Sequence, residues 1–314
     1  MNFIKLIIVS ACIVFLGCNS NKKAKEDSTK ESPKIAFTFD DGSTIDLPGY
    51  QLEEWNQLIL NHLKKHKLKA TLFATGSFLE GKKGKYVLNS WNDAGHKIAN
   101  HTYTHPYYPS SKISIDEFKQ ELLKNDSVIR QYSNFYPYFR YPYLKEGNTI
   151  VKRDSFRAFL ENQNYKVGHV TIDASDWYVS SRLTKRLKEN PKANISGYRD
   201  YYIGHIYNRA LFYDSLATKL TNRKIKHTLL LHHNLTSALF LDDLINHFKD
   251  NGWDIINSDE AFKDSIYKKQ PKTLPAGESL IWALAKESGK YDSILRYPAE
   301  DSRYEKDEMD KLGL

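Results

Sequence analysis

The stretch Ile35-Ala36-Phe37-Thr38-Phe39-Asp40-Asp41-Gly42 decides how the rest of this chain is read. It is an apolar run of strand length that stops on two acids and a glycine. Working outward, helical periodicity over residues 52–66 follows it, then a second apolar run at 70–74, and the alternation continues. Further strands are expected at 138–143, 166–173, 228–231 and 254–257. Ser114-Ile115-Asp116-Glu117 is a capping box that opens a helix ending near Tyr132. Such alternation predicts an α/β fold of parallel strands covered by helices. No internal repeat is visible.

Four other stretches belong with the first because each falls where a strand should end: His101-Thr102-Tyr103-Thr104-His105, Arg140-Tyr141-Pro142-Tyr143, Asp173-Ala174-Ser175-Asp176-Trp177 and Leu229-Leu230-Leu231-His232-His233. A divalent metal of zinc type takes a mixture of imidazole and carboxylate ligands and keeps one position open for water. Asp41, His101 and His105 supply that mixture. Asp40 is then free to act as a base and His232 as an acid. Taken alone, Asp-Asp-Gly is a turn sequence, and a His ending a buried strand is a core residue. His62 and His66 have the same spacing as His101 and His105, but they stand in Leu/Lys-rich helical sequence and are expected to face solvent. The second pair differs because Gly95-His96-Lys97-Ile98-Ala99-Asn100 reads as a turn and strand leading into it. Thr102 stands where a zincin helix needs its Glu, which disfavours a metalloprotease.

With these five stretches the chain resembles the polysaccharide deacetylases of the NodB homology type, carbohydrate esterase family 4. The resemblance implies a distorted, incompletely closed (β/α) barrel over residues 34–262, with functional residues at the carboxyl ends of its strands, followed by a helical C-terminal extension. It assigns Asp41, His101 and His105 to the metal and Asp40 to the base. It further implies that Arg140 orients the base, that the backbone N–H of Tyr143 helps to bind the oxyanion, that Asp176 holds His232 as the acid, and that Trp177 walls the groove. Two positions depart from the family pattern. Leu144 stands where Gly is often found, and His233 stands where an Asp usually follows the His, so either His232 or its neighbour could carry the acid; the Leu-x-Leu-His frame favours His232.

The chain of 314 residues can hold one large α/β domain or two smaller ones. Its formal charge of +8 is spread as Lys without an Arg-rich block, so a nucleic-acid partner is not expected. The 21 tyrosines suit stacking on sugar rings as well as ordinary packing. Lys5, an apolar run over 6–15 and Leu16-Gly17-Cys18 look like a bacterial lipoprotein signal with lipidation at Cys18, although Phe15 replaces the usual Leu. Residues 19–33 read as a flexible tether. Both cysteines, Cys12 and Cys18, fall in the signal, which excludes thiol nucleophiles and thiolate ligands from the folded body.

Two segments exceed the family core. Residues 178–226 contain an expected amphipathic helix over 198–220 that would cover one side of the groove, and residues 263–314 show helical pattern over 279–286 without a motif. Packing is the expected role of both. The chain thus reads as a metal-dependent enzyme of the cell envelope, anchored to the membrane through Cys18, that removes N-acetyl groups from a sugar polymer. The same constellation suits an O-acetyl esterase acting on xylan, and a third reading is a catalytically silent glycan-binding lipoprotein.

Overall fold

The structure is a computed structural model that describes residues 31–297 and 299–314. The signal segment with Cys18, and all but the last residues of the tether, lie outside the described residues. The chain then runs β1 (Lys34–Asp41), α1 (Leu52–Lys65), β2 (Thr71–Ala74), α2 (Gly81–Asp93), β3 (Lys97–Asn100), α3 (Ile115–Ile129), β4 (Phe135–Phe139), β5 (Lys145–Gly147), α4 (Ile150–Asn162), β6 (Lys166–Val167), α5 (Asp176–Glu189), α6 (Ser196–Thr221), β7 (Lys226–His232), α7 (Leu235–Asp250), β8 (Asp254–Ile255), α8 (Ser258–Ala261), β9 (Ala276–Gly277), α9 (Leu280–Ser288) and α10 (Ser302–Leu312).

The strands β6-β4-β3-β2-β1-β7 form one curled, parallel sheet in that order, with β8 pairing the start of β1. Helices surround it, so the architecture is the incompletely closed barrel that the alternation and the resemblance imply. β1 lies at its centre and is buried from Ile35 to Asp40, because a parallel strand covered on both faces needs apolar residues on both. Register aligns the carboxyl ends. Asp40 pairs with His232, Asp41 with Ala74, Ala74 with Asn100 and Asn100 with Phe139. The residues that follow β3 and β4, His101 and Arg140, therefore emerge on the same rim as Asp40, Asp41 and His232.

Two expected strands end early for identifiable reasons. Pro137 sits inside β4 and cannot donate to the ladder, where the register shifts between Ile98 and Asn100. The run expected over 138–143 stops at Phe139, and Pro142 opens a single turn in which Tyr143 is left-handed. The run expected over 166–173 divides: Lys166–Val167 pairs with β4, while Ile172 bridges to Leu229 of β7. The segment thus leaves one edge of the sheet for the other and bridges the gap in the barrel. Gly168 makes the crossing, since a Cβ there would stand 2.4 Å from the Phe73 ring.

The capping box at α3 is present, with the Glu117 amide donating to Ser114 Oγ (3.2 Å) and the Ser114 amide to Glu117 Oε2 (2.7 Å). The helix expected over 198–220 is α6, which packs on α7 and α9 and buries Arg209 and Asp214 beside its apolar residues. None of its residues lines the cavities at Asp41 and His232, one of which α5 of the same segment borders through Ser180, Thr184 and Lys188. His62 and His66 do not face solvent either. His62 Nε2 bonds the carbonyl of Ala238 (2.9 Å) and His66 Nε2 meets Asp242 (2.8 Å), both on α7, so an apparently polar helix face is an interhelical contact. Among the described residues no helix is long and apolar enough to cross a membrane.

Candidate active site

At the end of β1 the chain turns with Asp41 at φ 76° and Gly42 at φ 88°, which swings the Asp41 carboxylate towards the loop after β3. One ligand atom each from Asp41, His101 and His105 lie within 4.8 Å of one another. Asp41 Oδ1 is 3.7 Å from His101 Nε2 and 3.4 Å from His105 Nε2. His101 Nδ1–H donates to the carbonyl of Arg140 (2.8 Å), which leaves the Nε2 lone pair turned to Asp41. Burial, ahead of other influences, brings both imidazoles down to about 4, so at neutral pH they are uncharged, the form a metal ion requires. The donor set, its convergence and its tautomer fit a divalent cation.

Asp40, the preceding residue of the strand, turns its Oδ1 into the barrel and keeps its Oδ2 beside the cluster. It is almost fully buried. Arg140 NH1 donates to its Oδ1 (2.5 Å) and also to Thr38 Oγ1 (3.0 Å), while Arg140 Nε donates to the carbonyl of Gly168 (2.8 Å). The guanidinium lies 3.8 Å above the Phe73 ring. Arg140 is thus clamped from three sides and fixes one oxygen of Asp40; the other, Oδ2, stays 3.5 Å from His101 Nε2 on the ligand side. Burial raises the Asp40 pKa above its ordinary value, and Arg140 opposes the rise.

His232 ends β7, where register places it beside Asp40. Asp176, the first residue of α5, holds it through Nδ1 (2.6 Å) and through the backbone N–H (2.9 Å). Asn234 donates to the same carboxylate (3.0 Å). Burial alone would lower the His232 pKa, but Asp176, with Asp41 and Asp40 adding to it, carries it up to about 10. His233 has a different task. It is buried, its Nδ1 accepts the N–H of Ser43 (3.0 Å) and its Nε2–H donates to Asn56 Oδ1 (3.0 Å), an oxygen that also receives Trp91 Nε1 (2.9 Å). It pins the loop after Asp41, and burial brings its pKa down to about 3. Of the two adjacent histidines, His233 thus has both ring nitrogens engaged, whereas His232 is held through Nδ1.

A cavity of about 700 Å³ has Asp40, Asp41, His101, His105, Tyr143, Trp177 and His232 on its walls. A second one, of about 730 Å³, meets it at Asp41, Trp177 and His232 and continues past Ile45 and Phe78. Tyr143 (φ 56°) and Leu144 (φ 57°) are both left-handed, and the Tyr143 ring packs against His105 with centroids 4.6 Å apart. Leu144 is nearly buried beside Val170 and Leu230, an anchoring that glycine could not give. Sequence reasoning missed one group of wall residues. Lys145 and Asp173, and from the C-terminal extension Pro275, Glu278, Tyr297, Glu300 and Asp301, line the same cavity. Packing is therefore not the extension's whole role, and without a motif nothing in the sequence signalled it.

Residues 27–158 match the family model described as polysaccharide deacetylase. The match takes in β1, runs into α4 and makes that part of the chain similar to the polysaccharide deacetylase family. A peptidoglycan-N-acetylglucosamine deacetylase of Bacillus cereus is 30% identical over 145 residues, which cover 46% of this chain and 46% of that protein. The chain spans about half the length of the curated relatives it matches. Among solved structures, a peptidoglycan N-acetylglucosamine deacetylase aligns with TM-score 0.51 at 23% identity, over 75% of this chain and 90% of that one. A family pseudoenzyme from Bacillus anthracis aligns with TM-score 0.50 at 22% identity, over 74% and 66%. These deacetylase structures share the curled half-barrel. Since a pseudoenzyme shares it too, the polysaccharide deacetylase fold does not by itself carry activity, and the side chains on the rim must be weighed.

Proposed function

We propose that this chain is a metal-dependent hydrolase that removes N-acetyl groups from a sugar polymer, with peptidoglycan as the first substrate to test. The observation that carries the proposal is the convergence, on one cavity, of a His/His/Asp ligand set, a clamped carboxylate and a carboxylate-held imidazole. A glycan-binding protein without activity has no use for a base and an acid beside a metal site. The names of the curated relatives favour peptidoglycan among acetylated polymers.

Asp41, His101 and His105 would hold the metal, with zinc the best match to two imidazoles and one carboxylate. When bound, the metal supplies Lewis acidity and lowers the pKa of water. Asp40 Oδ2 is the oxygen placed to accept a proton, because Arg140 occupies Oδ1 and keeps the carboxylate oriented. Tyr143 lines the same cavity, and its backbone N–H would be the donor to the developing oxyanion, a contribution that counts strongly in acyl-transfer catalysis. His232 keeps a proton on Nδ1 for Asp176 and presents Nε2 as the donor to the departing sugar nitrogen, which is a poor leaving group until protonated. Trp177 flanks this position. The envelope is the expected place of action, with a lipid at Cys18 as the anchor.

Mass spectrometry of products from a panel of acetylated glycans tests the proposal. Loss of 42 mass units per N-acetyl group from peptidoglycan fragments or N-acetylglucosamine oligomers is expected. Turnover of acetylated xylan with no turnover of any N-acetyl glycan would replace the amidase by an esterase, and no turnover of either would leave a binding protein.

A further inference from the structure

The C-terminal extension reaches the cavity through specific attachments. β9 pairs antiparallel with β5, the Glu278 amide donates to the carbonyl of Leu144 (3.0 Å), and the Leu280 amide donates to that of Val170 (2.7 Å). Glu278 forms an ion pair with Lys145. Further on, the Glu300 carboxylate is taken up by Arg209 and Tyr213 of α6 and by Arg296 of the extension itself. The extension is thus bolted to the barrel at both ends of the stretch that lines the cavity, and all of it lies outside residues 27–158 that match the family.

What the stretch presents to the cavity is the chemistry of sugar recognition. Tyr297 is 58% exposed, with its ring 5.9 Å from that of Trp282 and its amide held by Tyr304 Oη (2.9 Å). An anchored backbone with a freely presented aromatic ring is a stacking platform. The wall of the same cavity also holds Lys145 paired with Glu278, the Asn148 amide and Asp173. One oxygen of Asp173 accepts the Ala174 N–H (2.9 Å), while the other has no hydrogen bond among the described residues. Donors and acceptors of both signs, mostly balanced within the wall, suit the hydroxyls of an uncharged pyranose better than a charged ligand.

We propose that the extension builds a sugar-binding subsite, with Tyr297 as its stacking surface and Asp173 and Asn148 as hydrogen-bonding groups, for an uncharged sugar unit adjoining the one that is deacetylated. This rests on the deacetylase reading above and deepens it, because it makes the extension a determinant of selectivity for oligosaccharides over small acetates.

The test compares N-acetylglucosamine tetramer with an aryl acetate, which needs no neighbouring sugar. Tyr297→Ala is expected to raise KM for the tetramer so that the ratio of the two specificity constants falls roughly three- to tenfold. Tyr297→Phe keeps the ring and should restore the ratio, and Asn148→Ala should lower it without touching the extension. A ratio unchanged in both alanine variants overturns the subsite while leaving the deacetylase reading intact. Binding of the tetramer to Asp40→Asn protein by calorimetry decides the case independently of turnover. Weaker binding on adding Tyr297→Ala supports the subsite even if the wild type proves inactive, whereas equal binding, or none in either form, overturns it.

Discussion

Asp176 grips His232 at two points, the ring Nδ1 at 2.6 Å and the main-chain N–H at 2.9 Å, so that the imidazole can turn neither about its own bonds nor away with the strand end. This leaves Nε2 as the one ring nitrogen that can give up a proton to a substrate. His232→Ala should therefore cost about 10²- to 10⁴-fold in kcat/KM on N-acetylglucosamine oligomers and much less on an aryl acetate, whose leaving group departs unprotonated. His233→Ala should show no such asymmetry and should instead lose about 1–3 kcal/mol of stability, since the Ser43 N–H loses its partner and Asn56 Oδ1 keeps only Trp91 Nε1. Steady-state kinetics on both substrates checks the pair of variants, and an asymmetry found with His233 alone would move the acid by one residue.

The same contact predicts a titration. In metal-free protein His232 should titrate near 10, and Asp176→Asn should bring it down because its principal counter-charge is gone. The sign for stability follows. A folded-state pKa above the unfolded value of 6.5 gives a stabilisation that is complete below about pH 6.5 and lost as pH rises towards 10. Urea unfolding midpoints across that range should fall for the wild type and stay flatter for Asp176→Asn; NMR of the imidazole gives the pKa directly. A His232 signal that titrates near 6.5 in the wild type is the result that sinks this account.

Base and ligand can be separated at neighbouring positions. Asp40→Asn retains the size of a side chain held by Arg140 but loses its proton affinity, so metal content should persist while activity falls by several orders of magnitude. Asp41→Asn, and more strongly His101→Ala, should reduce metal content itself, whereas His62→Ala should leave it unchanged because that ring bonds only to α7. Metal analysis of purified protein together with kinetics distinguishes them. If Asp40→Asn lost its metal and Asp41→Asn kept it, the two roles would be exchanged.

Much of this arrangement was legible in the sequence because its signals are local. An apolar run ending in Asp40-Asp41-Gly42, or three leucines ending in His232, announces both a strand and a residue at its carboxyl end. What was not legible depends on contacts made at long range. No local pattern shows that His66 meets Asp242, that Gly168 carries the chain across the gap in the barrel, or that Tyr297 returns to a cavity built by β1 and β7. Backbone strain was hidden as well. Asp41, Thr102, His105, Tyr143, Leu144 and Ser175 all have positive φ, and each sits in a loop at the rim. Ordinary propensities argue against such conformations for these residue types, so surrounding structure must impose them, and they mark the site once the coordinates are known.

Gly277 links the extension to the Tyr143 loop and gives the last prediction. Its φ is 127°, and a Cβ would stand 2.0 Å from the carbonyl oxygen of Leu144 and 2.9 Å from Lys145 Cα. Both atoms are backbone and cannot move aside like a side-chain tip. Gly277→Ala must therefore push β9 away from β5, break the bond between the Glu278 amide and Leu144, and release the strained turn that carries Tyr143. About 1–3 kcal/mol of stability should be lost. Activity on N-acetyl oligomers should fall at least tenfold, chiefly in kcat, while metal content stays at the wild-type level because no ligand lies on that turn. Thermal unfolding, metal analysis and kinetics on the same preparation check this. Full activity in Gly277→Ala protein would show that the Tyr143 loop holds its shape without the extension, and loss of metal in step with activity would mean that the damage reaches the ligands and not the loop alone.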